Sequence, residues 1–266
     1  MKPPQDLPVA LVTGATGGIG HAICLRLARE GVAVVAAGRN VERLTEVVDE
    51  LEGLGGIAWA LELDLADSAA IVRAAAQAQK LAATVGTLGW LVNNAGIAVS
   101  APLVEKDRAD DTDLYERHLA INFHGARRLF EALLPEMVAH GAGAMINVAS
   151  SAGLQGYAYV AAYCASKHAL VGYTRAVALE LAKKGVRANA VCPHYVDSPM
   201  TETSVRRVME TTGKTESEAR DFFAAQNPGG RLVTPTEVAD AVWDLLHSES
   251  NGRVVELDGS ATLENA

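Results

Sequence analysis

A doubly wound α/β domain, one parallel sheet of about seven strands with helices on both faces, is the fold that the 266-residue sequence predicts. Three observations predict it. Short runs of Val, Ile and Leu alternate with longer segments of helical pattern, which is the signature of βαβ units. A glycine-rich loop, LVTGATGGIG, falls at the first strand-to-helix turn. Finally, aromatic residues make up only 5% of a chain that is 49% hydrophobic, so the core is filled mainly by Ala, Val and Leu, as is usual in α/β proteins.

The elements follow in order. Pro8 to Val12 reads as the first strand, Gly18 to Glu30 as a helix and Val32 to Ala37 as the second strand. Helix Val41 to Leu51, strand Ile57 to Leu63, helix Ser68 to Ala83 and strand Leu88 to Val92 repeat the unit. A long helix from Asp113 to Ala139 comes next, then strand Ala144 to Val148 and a helix carrying AAYCASKHAL that runs to about Lys183. Strand Val186 to Val191 precedes an irregular, charged segment over residues 197–227, and helix Thr236 to Leu246 and strand Arg253 to Leu257 close the chain. No linker, internal repeat or low-complexity tract divides it, so residues 1–266 are expected to form a single domain. Right-handed crossovers then leave few topologies other than a Rossmann-type sheet.

Composition excludes several function classes. A net charge of -9 without a basic run argues against a nucleic-acid partner, which needs cations to neutralise phosphates. No apolar run approaches a membrane span, and MKPPQDLP lacks the apolar core of a leader. The three cysteines, Cys24, Cys164 and Cys192, are an odd number in a chain too large to need staples, which fits a reducing, cytoplasmic setting. No metal site is expected.

Gly14, Gly18 and Gly20 would let backbone N–H groups approach a pyrophosphate at the positive end of the first helix, with Ile19 between them. The second strand ends at Gly38 and Arg39, with no acid to take the ribose hydroxyls of NAD. A guanidinium grips a phosphate in a bidentate fashion, so NADP is favoured over NAD. Against this, Arg39 could be a solvated surface residue, and Gly17 adds no second cation. Tyr163 and Lys167 are four apart on an otherwise small and apolar helix, either as polar residues that happen to fall there or as acid–base groups on a rigid mount.

These motifs resemble those of the short-chain dehydrogenase/reductases, in their one-domain form. TGATGGIG is similar to that family's cofactor loop, NNAG at Asn93 to Gly96 to its motif after the fourth strand, and YCASK to its Y-x-x-x-K. The resemblance runs from about residue 8 to about 259. It implies a catalytic tetrad of Asn122, Ser150, Tyr163 and Lys167, and cofactor contacts from Asp64, Leu65, Asn94, Ala95, Gly96, Tyr163, Lys167, Pro193, Val196 and Ser198. A free tyrosine titrates near pH 10, so Lys167 and an oxidised nicotinamide are expected to favour the tyrosinate by charge. Tyr163 would then act as acid in reduction and base in oxidation, and Ser150 would hydrogen-bond the substrate oxygen.

The chain departs from the family where PG is usual: Pro193 is followed by His194, which either shapes the substrate pocket or points to solvent. Residues 197–227 are similar to the family's helical substrate lid, and Met200 is a second candidate substrate residue. Arg206, Arg207 and Lys214 there would suit an acidic acyl carrier protein or a carboxylate, or form a solvated face. The context is most similar to polyketide ketoreductases and 3-hydroxyacyl or 3-hydroxybutyrate dehydrogenases. The expected activity is NADP(H)-dependent hydride transfer between nicotinamide and a small to medium ketone, a 3-oxoacyl thioester among the candidates. The rivals are an NAD-linked secondary-alcohol dehydrogenase, a non-catalytic dinucleotide sensor and a structural interaction protein. The small, apolar helix after Val160 is expected to be buried on two sides, by the sheet and by a second subunit of a homodimer or homotetramer.

Overall fold

The computed structural model describes residues 7–103 and 114–260. The expected helix start at Asp113 and most of the N-terminal stretch read for a leader lie outside them. Seven parallel strands form one sheet in the order β3-β2-β1-β4-β5-β6-β7. They are β1 (Leu7–Thr13), β2 (Ala33–Gly38), β3 (Ala58–Glu62), β4 (Gly86–Asn93), β5 (Gly143–Val148), β6 (Val186–Pro193) and β7 (Val254–Leu257). Successive side chains of a strand point to opposite faces, and both faces here are apolar. Ala10, Val12, Val34 and Ala36 pack under α1 (Gly18–Arg29), α2 (Val41–Gly53) and α9 (Pro235–His247). Val9, Leu11, Val35 and Ala37 pack on the other face with α3 (Ser68–Ala82), α5 (Ala126–His140) and α6 (Ala161–Leu181). Among the described residues no helix is long and apolar enough to cross a membrane.

Two sequence expectations are corrected. The long helix before β5 is not continuous: α4 (Leu114–Leu119) passes into a π-helical turn, Ala120–Gly125, before α5 begins. A side chain at Gly125 would come within 2.6 Å of Leu65, so the helix runs hard against the loop after β3 at that point. The charged segment is not irregular but forms α7 (Pro199–Thr212) and α8 (Glu216–Ala224). Pro199 starts α7 in the first helical turn, where a missing N–H costs nothing, and Thr215 and Glu218 cap α8 reciprocally. The helix α6 is covered by its own chain on one side, and Leu179 on the other is 84% exposed.

Strand order reverses between β1 and β4, so the loops after these strands diverge and leave a crevice at the carboxyl edge of the sheet. Thr13 sets its width. Its Oγ1 accepts from the backbone N–H groups of Asn94 and Ala95, both at 3.0 Å, and donates to the Val92 carbonyl at 3.4 Å. Asn94 returns the tie by donating Nδ2 to the Thr13 carbonyl at 3.0 Å. Thr13→Val keeps the shape but strips two amides of their acceptor, and should lower stability by about 2 kcal/mol in urea unfolding, with Thr13→Ser restoring it.

Candidate active site

The crevice floor is lined by glycines because nothing larger fits. Gly14 has φ +67°, a left-handed conformation, and a Cβ there would lie 2.9 Å from the Ala95 Cα. A Cβ at Gly20 would come within 2.1 Å of the Gly14 carbonyl oxygen. With the N-terminus of α1 directly behind, the loop can receive a pyrophosphate, so the residues present fit a dinucleotide. Gly18 also touches the start of α7, its Cβ position lying 3.0 Å from Pro199 and 3.5 Å from Ser198.

At the ends of β2 and β3 the structure places Arg39, exposed, and Asp64, whose carboxylate accepts from Ala66 N at 2.9 Å. Leu65 is buried. Sequence reasoning missed Arg43 on the first turn of α2. It lines a cavity of about 300 Å³ together with Thr16, Gly17 and Gly18, and Glu46 and Glu50 line the same cavity. The i, i+4 distance from Arg39 was the available signal.

The inner end of the crevice gathers the four residues of the expected tetrad. Ser150 follows β5 on extended backbone, and its Oγ accepts from Ala152 N at 3.1 Å while bonding the Tyr163 phenol. Tyr163 lies in the first turn of α6. Lys167, one turn on, is 4% exposed; its Nζ donates to the Val148 carbonyl at 2.9 Å and lies 5.7 Å from the Tyr163 ring centre. Asn122 occupies the π-helical turn, a distortion that recurs at functional sites. Its Oδ1 accepts from Ile97 N at 2.8 Å, and its Nδ2 donates to the Ile97 carbonyl at 2.9 Å and to Ser166 Oγ at 3.0 Å. Gly96 leaves room for this group, since a Cβ would sit 3.1 Å from Asn122 Oδ1 and 3.6 Å from Lys167 Nζ.

The electrostatics differ from the expectation that Lys167 draws the tyrosine down. Burial pushes the Tyr163 phenol up to about 12, against the lowering effect of the Ser150 hydrogen bond. The same burial brings Lys167 down to about 8, so the ammonium is itself weakened as a cation. Desolvation outweighs charge here because both groups share one dry pocket.

Of the substrate-end residues, Pro193, His194 and Val196 are buried, and Ser198 stands just before α7 with no side-chain capping bond. His194 therefore does not point to solvent. Met200 is 45% exposed at the start of α7, and none of the described contacts links it to Tyr163. Tyr195, which the sequence reading passed over, lies close enough to Tyr163 to oppose its ionisation and packs against Phe223 of α8 at 4.9 Å. Arg207 donates to the Ser100 carbonyl at 2.8 Å, tying α7 to the segment after β4.

A glycine-floored crevice at the switch point, ending in a half-buried Ser–Tyr pair beside a buried Lys and Asn, defines a nucleotide-dependent oxidoreductase of the doubly wound class. The chain belongs to the short-chain dehydrogenases, whose family model matches residues 8–208. It is 38% identical over 217 residues to a 3β-hydroxysteroid dehydrogenase of Mediterraneibacter gnavus, covering 81% of this chain and 76% of the other. It is 33% identical over 258 residues to the 3-oxoacyl-acyl-carrier-protein reductase of Thermotoga maritima, covering 96% and 98%. Among solved structures, a variant of actinorhodin polyketide ketoreductase with NADPH superposes with a TM-score of 0.87 at 33% identity, covering 96% and 97% of the two chains. L-sorbose reductase from Gluconobacter frateurii, complexed with NADPH and L-sorbose, gives 0.85 at 27% identity over 99% and 100%.

Burial of Lys167 has a signed consequence for stability. Between about pH 8 and its ordinary value of 10.5, the unfolded chain holds the lysine proton and the folded chain does not, so stability rises with pH. The full difference corresponds to roughly 3 kcal/mol. Urea unfolding of wild type against Lys167→Met should show the wild type gaining relative stability from pH 8 to 10. Above pH 10 the raised Tyr163 acts in the opposite sense, because the unfolded phenol then loses its proton first.

Proposed function

We propose that the protein uses NADPH to reduce a ketone to a secondary alcohol. The observation that carries this reading is the Tyr163 phenol, bonded to Ser150 and held beside a buried Lys167 at the inner end of the dinucleotide crevice. A bound nicotinamide nucleotide supplies the hydride. Tyr163 delivers the proton to the carbonyl oxygen, and its raised value keeps the phenol protonated through the neutral range, as an acid for reduction requires. Ser150 Oγ already accepts from Ala152 N, and its single O–H can turn from Tyr163 to donate toward the substrate oxygen on which charge develops. Lys167, titrating near 8, can return the proton to Tyr163, and Asn122 holds the neighbouring Ile97 backbone in place.

Arg39 supports NADPH over NADH, since β2 itself ends in Gly38 and this exposed guanidinium with no acid of its own to take the ribose hydroxyls, and Arg43 lies on the following helix turn. The NADPH-bound ketoreductase and sorbose reductase support the same choice. A 3-oxoacyl thioester and a cyclic ketone are both substrates suggested by relatives. Residues 197–227, carrying α7 and α8, act as the substrate lid. The exposed face of α6, with Leu179 at 84%, is the contact that a homodimer or homotetramer would cover.

Spectrophotometric oxidation of NADPH with cyclohexanone or ethyl acetoacetate tests the reaction. Tyr163→Phe should lower kcat by a factor on the order of 1,000 while NADPH still binds in a fluorescence titration. Wild-type turnover by that variant would end the proposal. Arg39→Ala should raise KM for NADPH roughly 10- to 100-fold and leave NADH kinetics unchanged. Leu179→Glu should yield a smaller species in sedimentation velocity than the wild type.

A further inference from the structure

A chain of side chains that takes no part in the proposed proton transfer crosses the carboxyl edge of the sheet. At the end of β6, His194 donates Nε2–H to Glu256 of β7 at 2.7 Å; the imidazole is 2% exposed and the carboxylate 49%. With Nε2 carrying the proton, Nδ1 is left as an acceptor, and it faces the Tyr157 hydroxyl at 3.4 Å. The Tyr157 oxygen also meets Ser151 Oγ at 2.9 Å and accepts from Gln155 Nε2 at 2.8 Å. Ser151 is 3% exposed and directly follows Ser150. Carboxylate, imidazole, phenol and hydroxyl thus connect β7 and β6 to the turn that presents Ser150.

We propose that His194 is a positioning residue: oriented by Glu256, it holds Tyr157 against Ser151 and so aims the Ser150 hydroxyl at the reacting oxygen. Two observations carry this. Ser150 has extended backbone with φ 179° and ψ 159°, and from the protein backbone its Oγ takes only the Ala152 N–H of the single 3-10 turn that it caps, so one backbone bond is all that sets its direction. Tyr157 is saturated, since a phenol with one proton and two lone pairs has three partners here. It therefore braces its neighbours and has no capacity left to bind substrate. The same ring stands edge-on to Tyr195 at 6.2 Å, so the brace also fixes one wall of the site. Small errors in the placement of a reacting group are costly, which makes such a brace consequential.

The inference rests on the ketone reduction proposed above, and the experiment separates the two. His194→Gly restores the residue usual in the family, and Tyr157→Phe removes only the bracing hydroxyl. Each should lower kcat about tenfold with cyclohexanone or ethyl acetoacetate, with KM for NADPH moved by less than about twofold. On a Ser150→Ala background neither should lower kcat further, because the brace acts through that hydroxyl. Amide exchange over residues 150–157 should quicken in both variants while residues 8–13 stay protected. An equal fold-loss with and without Ser150 overturns the inference, as does unchanged exchange in both variants. A wild type that reduces neither ketone counts against the proposed reaction, and the exchange arm then decides the positioning role by itself. Should His194→Gly fail to fold, Tyr157→Phe carries both arms.

Discussion

One buried ammonium organises the site. Lys167 is carried into a dry pocket on α6, and the cost of that burial is met by the Val148 carbonyl at the end of β5. The surroundings are shaped to admit it. Gly96 carries no side chain where Lys167 and Asn122 approach, and the π-helical turn swings Asn122 onto both backbone groups of Ile97. The helix itself cannot drift, because a buried polar chain ties it to the sheet. Asn93 donates to Asn147 at 2.9 Å, Asn147 to Thr174 at 2.8 Å, and Thr174 to the Leu170 carbonyl at 2.8 Å. A buried network of this kind favours one arrangement, although Asn93 Oδ1 has no hydrogen-bond partner in it.

Much of this was legible in the sequence, for a physical reason. A phosphate loop needs glycine where a Cβ would strike backbone, and proton transfer to an alcohol oxygen needs a titratable hydroxyl beside a cation, so chemistry narrows the residue types at Gly14, Gly20, Tyr163 and Lys167. Parallel strands covered on both faces are near-continuous apolar runs, which made the sheet readable too. What was not legible depends on partners distant in the chain. Nothing near His194 announces Glu256, 62 residues on, so its direction had to come from the fold. The rise of Tyr163 and the fall of Lys167 in the protein alone were hidden for the same reason: charge can be read from spacing, burial cannot. Polarity hid the two helices of residues 197–227 from a reading by hydrophobic pattern, although the family resemblance implied a helical lid and Pro199 and the Thr215–Glu218 pair mark their starts.

Cofactor and substrate regions meet through that segment. Its first residues lie against Gly18, its middle is tied by Arg207 to the Ser100 carbonyl, and its far end packs Phe223 onto Tyr195. Arg220 adds an ion pair to Asp197 at 2.7 Å and a second to Glu202, both at the entry to α7. A helix pair anchored at both the glycine loop and the substrate wall cannot move without altering both. If these helices act as the substrate lid proposed above, binding at one end would be felt at the other.

The two halves of the crevice are nevertheless built from different materials. Around the glycine loop the ties are backbone amides and carbonyls joined through Thr13 and Asn94, where a side chain added at Gly14 or Gly20 collides with main chain. Around the substrate end the ties are side chains: His194 to Glu256, Tyr157 to Ser151, Tyr195 to Phe223. Main-chain contacts depend on every residue's geometry at once and tolerate little change, whereas a side-chain contact can be exchanged for another of similar volume at modest cost. A histidine in place of glycine after Pro193 is such an exchange, absorbed by a carboxylate and a phenol that the neighbouring strand and loop supply. One fold can therefore keep its nucleotide and hydride chemistry constant while its carbonyl partner varies.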